Sequence, residues 1–140
     1  MNIFFDVDYT IVDSEGELLR PYVKEVFQQL GDEGHHVYLW SGMGLRWEIV
    51  EQHGLRELVR DCFEKPLRNY EQEWARQGKP LHPDYVIDDT PSVVSAFGGF
   101  VIPPYAPWKT PDDSEMLRVY AAIKQFAAQQ STGEVATPFA

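Results

Sequence analysis

The apolar positions of this chain fall into short blocks of strand length, separated by longer stretches of helical period. The run NIFFD, residues 2–6, is too short for a helix and reads as a buried strand. HVYLWSG and DYVIDD are runs of the same kind, while RDCFEK and GFVIPPY are shorter, the second of these ended by its prolines. Between them, RPYVKEVFQQLGDEG carries Val23, Val26, Phe27 and Leu30 at helical spacing, with Pro21 suited to a first turn and Gly34 to a stop. LRWEIVEQHG, RNYEQEWARQGK and PSVVSAFG read as further helices. SEMLRVYAAIKQFAAQQ is a C-terminal helix with Met116, Tyr120, Ile123 and Ala127 on one face. The polar tail STGEVATPFA, residues 131–140, is expected to be disordered, which leaves residues 1–130 as a single domain. Strands and helices alternate throughout without internal repeats. That order predicts a doubly wound α/β fold, with a mostly parallel five-stranded sheet and helices on both faces.

Composition narrows the function classes. A chain of 140 residues with 44% hydrophobic and 24% charged positions is the size and character of one globular domain. Its formal charge of -10 disfavours nucleic acid and anionic membrane surfaces, both of which need a basic footprint. No apolar run approaches the ~20 residues of a membrane span, and no signal-like segment opens the chain, so the expected location is the cytoplasm. The only cysteine, Cys62, has no internal disulfide partner and, beside Phe63, reads as a buried small hydrophobe.

Function is read from where the apolar runs stop. The first ends at Asp6, followed by Asp8; the second at Ser41 and Gly42; the fourth at Asp88 and Asp89. In an open parallel sheet all of these lie on the carboxyl edge, where ligands bind. Four carboxylates gathered there repel one another unless a divalent cation sits among them, and oxygen ligands without thiolates favour Mg²⁺ over Zn²⁺. A serine followed by glycine offers a hydroxyl and an approachable N–H to a phosphate oxygen. Each feature has a structural alternative. Asp88 and Asp89 could serve the helix that opens at Pro91, Ser41-Gly42 could be an ordinary turn, and Thr10 could support its loop. His35 and His36 are adjacent and point apart on a strand, which argues against a metal pair. Asp13 and Glu15 suit a solvated turn around Gly16. Arg46 and Trp47, one turn past Ser41, and Tyr105, Trp108 and Lys109 in PPYAPWKTP are candidates for touching a ligand at the same edge.

Four segments together resemble the haloacid dehalogenase superfamily of phosphatases and phosphotransferases. DVDYT is similar to its Asp-x-Asp-x-Thr signature, YLWSG to its second, EKP to its lysine signature and VIDDT to its acidic pair, in the family's order between Ile3 and Thr90. The resemblance implies that Asp6 is the nucleophile forming an aspartyl-phosphate and Asp8 the general acid, then base. It implies that Ser41, with Gly42 and Thr10, holds the phosphoryl group and that Lys65 neutralises it. Mg²⁺ is then held by the Asp6 carboxylate, the Asp8 backbone carbonyl and the acidic pair, with Asp89 preferred over Asp88 as the direct ligand. Lys79 is the alternative to Lys65.

The implied activity is Mg²⁺-dependent hydrolysis of a phosphomonoester, from a small molecule or a phosphoprotein. Members of the family with a cap domain insert it after the first signature or between the second and third. Here Ile11 to Arg20 is too short and the Ser41 to Asp88 interval is filled by core elements, so the chain resembles the capless class. Such sites often accept macromolecules or are closed by a loop or partner subunit, including a second copy. The alternatives are a phospho-acceptor or phosphate-binding module without turnover, similar to a response-regulator receiver, and a catalytically weak interaction protein. The receiver order places its acidic pair first, whereas here the lysine precedes the pair.

Overall fold

The structure, a computed structural model, describes residues 1–136, with side chains to Ser131. Five strands alternate with five helices: β1 (Asn2–Asp6), α1 (Val23–Asp32), β2 (His36–Ser41), α2 (Trp47–Gln52), β3 (Asp61–Glu64), α3 (Tyr70–Arg76), β4 (Tyr85–Asp88), α4 (Pro91–Phe97), β5 (Gly99–Val101) and α5 (Glu115–Ala136). They form one five-stranded sheet in the order β3-β2-β1-β4-β5, and every pairing is parallel. The chain winds outward from β1 through β2 to β3, then returns past β1 to lay down β4 and β5. The direction of winding therefore reverses between β1 and β4, and that crevice is where a doubly wound sheet binds its ligand.

Because strand side chains alternate, the two faces of the sheet carry different cores. Ile3, Phe5, Val37, Leu39 and Ile87 face α1 and α5, whose Val23, Phe27, Leu30, Met116, Val119 and Ile123 complete a mostly aliphatic cluster. Phe4, Tyr38, Trp40, Phe63 and Val86 face the other way and close over Trp74 of α3 and Val93 of α4. This second cluster is aromatic, with Phe4 edge-on to Trp40 and Trp74 at centroid distances of 4.9 and 5.4 Å. Packing both faces leaves the strands no freedom to slip, since a one-residue shift would exchange the two sets of side chains.

Several elements are shorter than their sequence runs, β5 ending at Val101 and α2 and α3 spanning Trp47–Gln52 and Tyr70–Arg76, and two helix ends differ for identifiable reasons. Helix α1 begins at Val23, after Pro21, because Tyr22 takes a left-handed conformation (φ 71°) that ends the preceding loop. Helix α5 runs to Ala136, past Ser131, where the disordered tail was expected to start; residues 137–140 lie outside the described residues. The segment between β1 and α1 is a small flap, tied by Arg20 N–H to Ile11 C=O (2.8 Å) and Asp13 N–H to Leu18 C=O (3.1 Å), with Gly16 at φ 72° in its turn. No helix among the described residues is long and apolar enough to cross a membrane.

Candidate functional site

The strand ends expected to converge lie together on the carboxyl edge. Asp6 closes β1 and Asp88 closes β4, the neighbouring strand across the winding reversal, and both carboxylates are buried. Between them sits Lys65, the residue that follows β3. Its ammonium donates to Asp6 Oδ1 (3.0 Å) and to Asp88 Oδ2 (2.9 Å). The Lys65 backbone N–H donates to Ser41 C=O (2.9 Å), which extends the β2–β3 ladder by one step and aims the side chain back over β1. Lys79 lies elsewhere, with its ammonium 5.4 Å from the Phe63 ring centroid.

Thr10 is fully buried and its hydroxyl donates to Asp6 Oδ2 (3.2 Å), so both oxygens of Asp6 are oriented, one by Lys65 and one by Thr10. Asp88 is held as tightly: its second oxygen accepts the Thr90 N–H (2.9 Å). Ligand atoms of Asp6, Asp88 and Asp89 lie within 4.8 Å of one another, the one such group among the described residues that could hold a metal ion. The donor set is all carboxylate oxygen, which fits a hard cation of the Mg²⁺ type. His35 and His36 sit at the opposite end of β2, where His35 Nδ1 is 3.0 Å from the N-terminal amine and His36 Nδ1 is 3.4 Å from Arg60.

Charge in this group is unbalanced. Burial, then the Asp88 carboxylate, push the Asp6 carboxyl up to about 8, against the pull of Lys65. Asp88 is raised for the same first reason, burial, and Lys65 only partly offsets it. Burial works against the Lys65 ammonium, yet Asp6 and Asp88 together hold it above its ordinary value. One ammonium thus faces three carboxylates, and a divalent cation is the charge that would close the balance.

Ser41 is buried, and its Oγ accepts the Met43 N–H (3.0 Å) and an Arg46 N–H at 3.4 Å. Gly42 lets Leu67 lie directly over the loop after β2: a Cβ there would come 2.6 Å from Leu67 Cδ2 and push that exposed side chain aside. The Asp8 carboxylate is not among the three clustered acids. It pairs with Arg46, whose Nη1 is 2.6 Å from Asp8 Oδ2 and whose Nε is 2.7 Å from Glu48. Arg46 therefore joins Asp8 to Ser41 across the site. Trp47 turns inward against the aliphatic core, with Arg56 stacked over its ring.

The loop after β1 is pinned from outside the motifs. Tyr9 adopts φ 65°, strained for a side chain of its size, and its carbonyl accepts the Tyr105 N–H (2.7 Å) and an Arg20 N–H (3.3 Å). Arg20 also donates to Thr10 C=O (3.2 Å), Pro103 C=O (2.8 Å) and both oxygens of Asp113 (2.9 Å each). In PPYAPWKTP, then, Tyr105 is a buried tether of the site loop, while Trp108 stands exposed. Arg20 and Asp113 carry no local sequence signal, since they lie 93 positions apart. Comparison with protein-family models, curated proteins and solved structures finds no match.

Proposed function

We propose that this chain is a Mg²⁺-dependent phosphatase of the haloacid dehalogenase type, acting on a phosphomonoester through an aspartyl-phosphate on Asp6. The observation that carries the reading is the junction of Asp6, Lys65 and Asp88 at the winding reversal, with Ser41-Gly42 beside it. Two buried carboxylates need a cation between them whatever their role; the functional reading adds that this same ammonium would meet a dianionic phosphoryl group at Asp6. Mg²⁺, held by Asp6, Asp88 and Asp89, would neutralise the carboxylates and the phosphoryl oxygens.

The chain's own residues divide the chemistry. Asp6, with its oxygens oriented by Lys65 and Thr10, attacks phosphorus as the bond to the leaving oxygen breaks, and Asp8 supplies the proton that oxygen takes up. Water then attacks the aspartyl-phosphate, Asp8 removes its proton, and phosphate departs with the Asp6 carboxylate restored. Arg46 pairs with Asp8 and, through the same nitrogen, fixes its carboxylate beside Ser41. Ser41 and the backbone at Gly42 receive the phosphoryl oxygens, and Lys65 neutralises charge as it develops. The substrate is a phosphorylated small molecule or phosphoprotein, and the lone buried thiol of Cys62 suits a cytoplasmic setting.

The deciding experiment is phosphate release from a panel of phosphomonoesters with and without Mg²⁺. Beryllofluoride, standing in for the phosphoryl group on Asp6, should raise the melting temperature of the protein with Mg²⁺ and leave that of Asp6→Asn unchanged. Magnesium-independent turnover, or turnover retained in Asp6→Asn, would sink the reading.

A further inference from the structure

Beyond the reacting phosphate, the surroundings of the site sort charge unevenly. The chain carries 22 acidic against 12 basic side chains, yet four of the basic ones, Lys65, Arg68, Arg76 and Lys79, line a single cavity of about 760 Å³. Only two acids, Glu64 and Glu73, line it with them. Arg76 is paired to Glu73 (3.0 Å), whereas Arg68 and Lys79 have no carboxylate partner among the described residues. Lys79 rests over the Phe63 ring, which leaves its ammonium otherwise open to water.

This cavity adjoins the site. Lys65 lines it and also pairs with Asp6 and Asp88; Leu67 lines it and covers Gly42, so one exposed leucine separates the phosphate loop from Arg68. A second cavity, on the flank lined by Asp8 and Arg46, has the reverse character. There Asp8, Glu15 and Glu48 face Arg46 alone, together with Tyr9, Met43 and Leu45, across about 490 Å³. A second negative group on a substrate would be repelled from that flank and drawn to the Lys65 side.

We propose that the cavity lined by Arg68 and Lys79 is a second anion subsite, and that the substrate carries another anionic group, phosphate or carboxylate, joined to its phosphate by an apolar spacer that crosses Leu67. The proposal rests on the phosphatase reading for the first phosphate, and it explains how an acidic protein can select a dianionic ligand. Local cations, not net charge, meet the substrate.

Binding is measured with non-hydrolysable probes, so that turnover is not needed. Calorimetry with Mg²⁺ compares butylphosphonate with butane-, hexane- and octane-diyl bisphosphonates, and with a phosphonate ending in carboxylate at the preferred length. The expected result is that one spacer length binds about tenfold more tightly than the monophosphonate, the worth of one charge-assisted contact. In the doubly substituted Arg68→Ala/Lys79→Ala protein that ratio should fall to about one. Both side chains are exposed, so the core is untouched. The carboxylate arm distinguishes which second anion is preferred. Equal affinity for all probes in the parent, or a ratio that survives the double substitution, would overturn the subsite. Hydrolysis of para-nitrophenyl phosphate is followed separately. A parent inert toward it and toward the whole panel of phosphomonoesters, but with a spacer preference that the double substitution abolishes, would refute the phosphatase reading and leave the anion subsite standing.

Discussion

Arg20 and Lys65 are both held by carboxylates at the carboxyl edge of the sheet, but they sit in opposite kinds of electrostatic environment. Arg20 is matched: its five N–H donors meet two oxygens of Asp113 and the carbonyls of Tyr9, Thr10 and Pro103, with the Tyr105 ring stacked 5.4 Å from its guanidinium carbon. One cation meets one anion, and every remaining donor meets a carbonyl. Lys65 is outnumbered, a single ammonium against Asp6, Asp88 and, close by, Asp89. A matched buried network stiffens a fold, while an unmatched one is tolerated only where a further charge can enter. The two networks also touch through one loop, since Arg20 grips the carbonyl of Thr10 and the Thr10 hydroxyl orients Asp6.

The sharpest test of that contrast is Asp6→Asn. The amide keeps the shape and the Lys65 contact but cannot form the covalent intermediate, so Mg²⁺-dependent phosphate release should fall by ~10⁴ or more while the folded state survives. Next in size is Arg20→Met, which strands the buried Asp113 carboxylate and frees three carbonyls. Urea unfolding should register a loss of about 3–5 kcal/mol, and adding Asp113→Leu should recover part of it, as expected when both halves of a matched pair are removed together. If Arg20→Met cost less than about 1 kcal/mol, the matched network would not be the structural one.

Lys65→Met comes third. Methionine retains much of the stem's packing and deletes the charge beside Asp6, so turnover should drop by roughly 10² or more, and with Mg²⁺ present to meet the Asp6 and Asp88 carboxylates stability should change far less than in Arg20→Met. Equal losses of stability in the two variants would erase the distinction between them.

What the sequence made legible follows from the same contrast. Asp6, Ser41, Asp88 and Asp89 end apolar runs, and in a parallel sheet the end of a run is also a place in space. Lys65 could be set against Lys79 only by pattern; the structure separates them because the residue after β3 points back across β2, whereas Lys79 follows α3. Arg46 was visible as a candidate, but its grip on Asp8 depends on how α2 is seated. Arg20 and Asp113 were invisible: an arginine before a proline reads as the approach to a helix, and nothing local points to a partner beyond β5. The reach of α5 to Ala136 was missed for a different reason. Ser131, Thr132 and Gly133 are weak helix formers, yet extending a helix already nucleated is far cheaper than starting one.

The smallest expected effect bears on the unmatched side of the contrast, through pH. In the metal-free protein Asp6 is pushed from 3.8 to about 8, burial first and Asp88 second, and Asp88 is raised as well. Between those two values the folded state retains a proton that the unfolded chain releases. The folded state therefore binds more protons than the unfolded, and the slope of stability against pH is negative. In EDTA, stability should decline as pH rises from ~5 to ~8, by a total on the order of 1–2 kcal/mol once relaxation and water entry are allowed for. Asp6→Asn removes the larger of these titrations, so its profile over the same window should be flatter, and at pH ~8 the variant should be the more stable protein despite being inert. Mg²⁺ should abolish most of the parent's decline, because a cation among the three carboxylates favours their ionised forms. A metal-free parent whose stability rises across this window would show that Lys65 alone balances the site, and the distinction between the two buried cations would be lost.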